Sequence, residues 1–187
     1  MIYLASQSAR RRDILTAMGI PFKPVRSKYR EAVRRVRSPE DLALEHACYK
    51  ALYADIPKHA RWILGADTVV WCRKQILGKP KDEKQALKML SLLSGRTHEV
   101  ITGVALWDCK KEVLYAGYAR TSVRFKKLSL RAKQNYICKT HPYDKAGGYA
   151  IQSGPRVVAG YTGSYSNIVG LPRELLRKMI RHADLGR

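Results

Sequence analysis

Residues 62–71 read Trp-Ile-Leu-Gly-Ala-Asp-Thr-Val-Val-Trp. An apolar run from Trp62 to Ala66 leads into Asp67 and Thr68, and Val69, Val70 and Trp71 resume it. Residues apolar in succession, rather than alternately, fit a central strand buried on both faces, the kind that helices cover in α/β folds. The flanks supply those helices. Ser38-Pro39-Glu40-Asp41 is a helix start, with a capping serine, proline at the first position and acids in the first turn. That helix is expected to run to about Asp55, with Leu44, Ala47, Cys48 and Ala51 facing inward. A second follows Asp82, carries Ala86, Leu87, Leu90 and Leu93, and ends at Gly95. Further on, Val100–Trp107 reads as a strand, Val113–Tyr118 as its return and Arg120–Phe125 as another strand. Ser129 caps a short helix, and a last helix covers about 172–183. The expected architecture is α/β with a mixed, twisted sheet and flanking helices, in one domain over residues 1–187.

The N-terminal stretch MIYLASQSARRR has the same grammar in miniature. Ile2–Ala5 suit a short buried strand, Ser6-Gln7-Ser8 a polar turn, and Arg10, Arg11 and Arg12 the start of a helix reaching Gly19. Ser8 is a suitable N-cap, yet cations are disfavoured in a first turn, where the helix dipole is positive. Their presence makes sense if an anion belongs there. A solvated basic helix start is the competing reading.

Composition bounds the function. The chain has 187 residues, 45% of them hydrophobic, and no apolar run of membrane-spanning length. Cys48, Cys72, Cys109 and Cys138 form no paired spacing, which favours reduced thiols and a cytoplasmic location over disulfides or a zinc site. A formal net charge of +21 attracts nucleic acid, an acidic membrane surface or small polyanions without distinguishing them. There is no GxxxxGK[ST] loop, HExxH, CxxC or GxSxG, and the five histidines share no ligand spacing.

Several residues stand out as chemistry. Asp67 interrupts an apolar strand. It is either a general base or metal ligand at a cleft, or a structural aspartate bound to backbone. Lys79 in Leu77-Gly78-Lys79-Pro80 can present an ammonium to a polyphosphate or lie on a surface turn. Lys50, on the polar side of its helix, is ambiguous in the same way, and Glu31 among Arg30, Arg34 and Arg35 is an ion-pair partner or a metal ligand. In residues 144–152, DKAGGYAIQ, paired glycines suit close backbone approach to a ligand, and Gln152 offers both donor and acceptor to a base edge. The residues alone point to an α/β protein with a cationic cleft for a phosphorylated small molecule.

The ordered set LASQSARRR, Glu31, Lys50, GADTVV (65–70), GKP (78–80), SGRTHEVITGVAL (94–106), DKAGGYAIQ (144–152) and GSYSNIVGLP (163–172) resembles the Maf family of nucleoside triphosphate pyrophosphatases over nearly the whole chain. The resemblance implies two lobes around a deep cleft, in a fold related to the inosine-triphosphate pyrophosphatases. It implies hydrolysis to a nucleoside monophosphate and pyrophosphate with a divalent metal, Mg²⁺ or Mn²⁺. By the same likeness Asp67 matches the proton acceptor, Ser6, Arg11, Lys50 and Lys79 hold the triphosphate, and Glu31 stands at the catalytic centre near the metal with Asp67. Arg10, Thr68 and Gln152 match the selective triple of the branch acting on dTTP and UTP, and a homodimer is a family-level expectation. Ala9 replaces the family's usual proline, and Val33–Arg37 is more basic than the family pattern. A rival reading, from the charge, is a nucleic-acid-binding protein, although no recognition-helix or RNA-binding signature accompanies it. A nucleotide-sensing regulator of cell division is a third.

Overall fold

The computed structural model describes residues 1–31 and 38–183, so the basic stretch Val33–Arg37 and the arginines neighbouring Glu31 at 34 and 35 lie outside the described residues. The elements are β1 (Ile2–Leu4), α1 (Ala9–Ala17), β2 (Phe22–Pro24), α2 (Pro39–Leu52), β3 (Trp62–Cys72), β4 (Gln75–Leu77), α3 (Glu83–Leu93), β5 (Thr97–Asp108), β6 (Val113–Phe125), α4 (Leu130–Thr140), β7 (Val158–Thr162), α5 (Tyr165–Val169) and α6 (Arg173–His182). Two short 3-10 turns, Pro142–Asp144 and Ala146–Gly148, precede β7. The strands form one mixed sheet in the order β2-β1-β3-β5-β6-β7. β1 runs parallel to β2 and β3, and the β3–β5–β6–β7 contacts are antiparallel.

The expected α/β mixed sheet is present, with local differences. Residues 113–125 make one continuous strand rather than two, because β6 pairs with β5 without a break from Val113 to Arg124. The buried side of α2 is Leu42, Ala43, His46, Ala47 and Ala51, whereas Leu44 and Cys48 are half-buried. The helix is rotated from the expected face because two glycines draw it onto the sheet. A Cβ on Gly65 would lie 2.1 Å from the carbonyl oxygen of Ala47, and one on Gly103 would lie 2.3 Å from that of Ala43. Backbone therefore packs on backbone, and only small residues fit between.

Side chains alternate along β3, so Leu64, Ala66, Thr68 and Val70 share the face opposite α2. Two core clusters cover the ends of that face. At one end Leu64 and Ala66 pack with Ile14 and Leu15 of α1 and Leu176 of α6. At the other, Val70 packs with Leu90 and Leu93 of α3 and Tyr136 and Ile137 of α4. Thr68 lies between the clusters. The edge of β3 is also interrupted here: β1 pairs with Trp62–Leu64 and β4 with Val70–Cys72, on the same edge. Residues 65–69 face the gap, which explains how Asp67 and Thr68 both reach a cleft from the middle of a strand.

Candidate active site

A cleft of about 550 Å³ opens at this gap. Ser6, Arg10, Arg11, Glu31, Lys50, Asp67, Thr68, Lys79 and Gln152, every site residue singled out from the sequence, line it. They come from far-apart segments: the β1–α1 loop, the first turn of α1, the chain before α2, α2 itself, β3, the loop after β4, and the segment before β7.

The β1–α1 loop is held by its own side chains. Ser6 Oγ accepts hydrogen bonds from the Ser8 amide at 3.3 Å and from Arg11 Nη1 at 2.9 Å. Ser8 occupies the N-cap position of α1, but its side chain makes no capping bond. Its expected capping role is therefore absent, and the loop's polar groups turn to the arginine instead. Arg11 is only 9% exposed. It donates from Nε to the Gly170 carbonyl at 2.8 Å and from Nη2 to Thr68 Oγ1 at 3.2 Å. These partners are neutral oxygens, so a buried cation faces the cleft with unspent donors, the arrangement an anion would complete. Arg10 reaches Asp144 at 3.2 Å, and Asp144 also pairs with Lys145. Arg12 is exposed on α1 and does not line the cleft.

Asp67, 8% exposed, is the centre of the opposite wall. Lys50 Nζ lies 2.6 Å from Asp67 Oδ1 and 2.6 Å from Glu31 Oε1. His46 Nδ1 stands 3.4 Å from Asp67 Oδ2. His46 and Lys50 are one helical turn apart, so the close packing of α2 that Gly65 and Gly103 permit brings both onto the same carboxylate. Burial alone would raise the Asp67 pKa, but the hydrogen bond from His46 and the charges of Lys50 and Arg11 outweigh it and hold the group at about 2. The same contact with Asp67 raises the His46 pKa against the opposing effect of burial. Ligand atoms of Glu31, His46 and Asp67 all lie within 4.8 Å of one another, a set able to hold a metal ion. His46 is the member that sequence reading missed. Its signal was the four-residue spacing to Lys50, invisible to a search for metal-ligand spacing because the three ligands come from three different elements.

The third wall is residues 144–152. The Gly147 amide donates to the Gly78 carbonyl at 2.9 Å, which ties the segment to the loop carrying Lys79. Gly147 and Gly148 have φ of +71° and +70° and are buried, the former against Val70. Their glycine requirement is the left-handed turn and its packing on β3, rather than an approach to ligand. Tyr149 is buried with its hydroxyl 2.8 Å from His98 Nε2, and the Ala150 amide donates to Tyr136 Oη at 2.9 Å. Anchored so, the segment ends with Gln152 exposed at the rim.

The arrangement offers cations for a polyanion, a buried ionised carboxylate beside them, and hydrogen-bonding groups of both polarities. Residues 1–183 match the family described as Maf-like protein. A protein of Bacillus cereus named dTTP/UTP pyrophosphatase is 40% identical over 98% of this chain and 96% of its own length. Proteins with the same name from Bacillus cytotoxicus and Geotalea uraniireducens are 41% and 42% identical, over 98% and 91% of this chain and 95% and 89% of theirs. A family match from end to end, on a fold whose cleft gathers the very residues that carried the resemblance, decides the matter: this chain belongs to the Maf-like protein family.

Proposed function

We propose that the protein is a nucleoside triphosphate pyrophosphatase acting on dTTP and UTP, built as a single domain over residues 1–187. The observation that carries this reading is Asp67: a buried, ionised carboxylate, paired with Lys50, at the wall of a cation-lined cleft of nucleotide size. The names of the relatives supply the substrate class.

In this mechanism Ser6, Arg11 and Lys79 hold the triphosphate, and Lys50 balances the charge at the catalytic centre. Phosphoryl transfer needs positioning and charge neutralisation more than covalent chemistry, and these residues provide both. Asp67 accepts the proton of the attacking water. In the free protein its basicity is low because Lys50 and His46 stabilise the carboxylate. Phosphate oxygens that draw the Lys50 ammonium toward themselves make Asp67 a better base as the substrate settles. Glu31 and Asp67 would hold a divalent cation such as Mg²⁺ or Mn²⁺ by their hard oxygen donors, with a His46 nitrogen nearby, once the Lys50 ammonium that bridges the two carboxylates shifts toward the phosphates. A cation held there would supply charge neutralisation to the phosphates and so assist the departure of pyrophosphate. Arg10, Thr68 and Gln152 read the base.

Among the described residues no helix is long and apolar enough to cross a membrane, and the four cysteines are free. The free thiols suit a reducing cytoplasm, to which we assign the protein, and the family resemblance alone leads us to take a homodimer as the working assembly. The net charge of +21 favours a second reading, binding of nucleic acid or another acidic partner. The deciding experiment is pyrophosphate release from a panel of nucleoside triphosphates with Mg²⁺ or Mn²⁺. Selective turnover of dTTP and UTP is expected. No turnover, with steeply salt-dependent binding of DNA or RNA, overturns the enzyme reading in favour of the second.

A further inference from the structure

Thr68 sits at the heart of a hydrogen-bonded chain that continues away from the cleft. Its Oγ1 accepts from Arg11 Nη2 at 3.2 Å and lies 2.9 Å from Oγ1 of Thr102, its direct partner across the β3–β5 ladder. Thr102 is fully buried, and its Oγ1 is 3.1 Å from the Asn167 carbonyl oxygen, which can only accept. Asn167, also fully buried, is fixed in turn by donating from Nδ2 to the Val100 carbonyl at 3.0 Å and to Thr121 Oγ1 at 2.8 Å.

A hydroxyl has one proton. If Thr102 gives its proton to Asn167, then Thr68 must give its own to Thr102, and all three contacts are satisfied. The reverse orientation turns the Thr102 proton onto Thr68 and forfeits the bond to Asn167 in a buried place, which is costly. Thr68 is then left with a lone pair as its remaining capacity toward the cleft. We propose that Thr102 is a specificity-setting positioning residue: by taking the Thr68 proton it makes Thr68 an obligate acceptor, which selects bases whose Watson–Crick edge offers a ring N–H.

The consequence follows from the bases. Uracil and thymine present acceptor, N3–H donor, acceptor, whereas cytosine has an acceptor at N3. Arg10 can only donate, and the Gln152 amide can turn either end toward a base. Thr68 is therefore the group of the three that can tell N3–H from bare N3, and it does so only while Thr102 holds its proton. Sites that place fixed polar groups against a substrate N–H reject analogues lacking it far better than shape alone does.

This inference rests on the pyrophosphatase reading. The test compares kcat/KM for UTP and CTP in the full chain, for the wild type, Thr102→Val and Thr102→Ser. Thr102→Val removes the proton sink with little change of volume, and the UTP:CTP ratio is expected to fall roughly tenfold or more. Thr102→Ser keeps the hydroxyl and is expected to restore the ratio. A folded Thr102→Val protein that keeps the wild-type ratio overturns the proposal. Should Thr102→Val fail to fold, wild-type turnover of N3-methyl-UTP decides: loss of turnover supports an obligate acceptor, and turnover equal to that of UTP overturns it. A wild type that hydrolyses no nucleoside triphosphate defeats the pyrophosphatase reading itself, an outcome distinct from an unaltered ratio in an active enzyme.

Discussion

At the scale of single residues the decisive quantity is how burial and charge are balanced. Asp67 keeps its charge because Lys50 and His46 offset the penalty of its burial. Asp67→Asn preserves shape and removes the proton acceptor, so turnover is expected to fall roughly 10²–10⁴-fold. Binding of a non-hydrolysable nucleotide, read by calorimetry, is expected to persist, and undiminished turnover would take Asp67 out of its role. His98 shows the opposite balance. Burial lowers its pKa from 6.5 to about 4, so it folds as the neutral ring with Tyr149 as its partner. Because the folded pKa lies below the unfolded one, its contribution is fully present above 6.5 and is lost as pH falls through about 4. The shift corresponds to a loss on the order of 3 kcal/mol across that window. Urea unfolding at several pH values is expected to show an acid-side slope that His98→Gln flattens, and an equal slope in both proteins would contradict the assignment.

At the scale of elements, the site depends on how close α2 lies to the sheet. Gly65→Ala drives a methyl group into the Ala47 carbonyl, so α2 must move away from β3. Overpacking of this kind costs about 1–3 kcal/mol, and the same displacement carries Lys50 and His46 off Asp67. The expected result is a lower urea midpoint together with a reduced kcat. A variant that loses stability but keeps kcat would show that the spacing of α2 does not matter to the chemistry. This dependence also marks the limit of what the sequence discloses. The long strand at Trp62, the capped starts at Ser38, Asp82 and Ser129, and the cationic first turn of α1 are local signals, and all appear where expected. The inward face of α2 does not follow from its own apolar pattern, because Gly65 and Gly103, distant in the chain, choose which face touches the sheet. The short strands β2, β4 and β7 lack a signal strong enough to read, since pairing with a neighbour (the short β1 for β2, the long β3 and β6 for β4 and β7), rather than their own composition, makes them strands.

At the scale of the whole molecule the net charge of +21 acts in two directions at once. It repels itself in the folded state, and it draws a triphosphate toward a cleft whose walls carry Arg10, Arg11, Lys50 and Lys79. Added salt screens both interactions. Raising ionic strength from about 20 mM to about 200 mM shortens the screening length to below the width of a nucleotide site. The melting temperature is therefore expected to rise, while KM for UTP increases several-fold with little change in kcat, since the buried Asp67–Lys50 pair is shielded from bulk ions. The two responses separate the sources of charge. Exchanging exposed cations far from the cleft, such as Lys110 and Lys111 in the β5–β6 turn, for glutamine is expected to blunt the salt dependence of the melting temperature more than that of KM. A KM that does not change with salt would mean that the charge excess serves a partner other than the nucleotide, and would send the search to polyanions larger than the cleft.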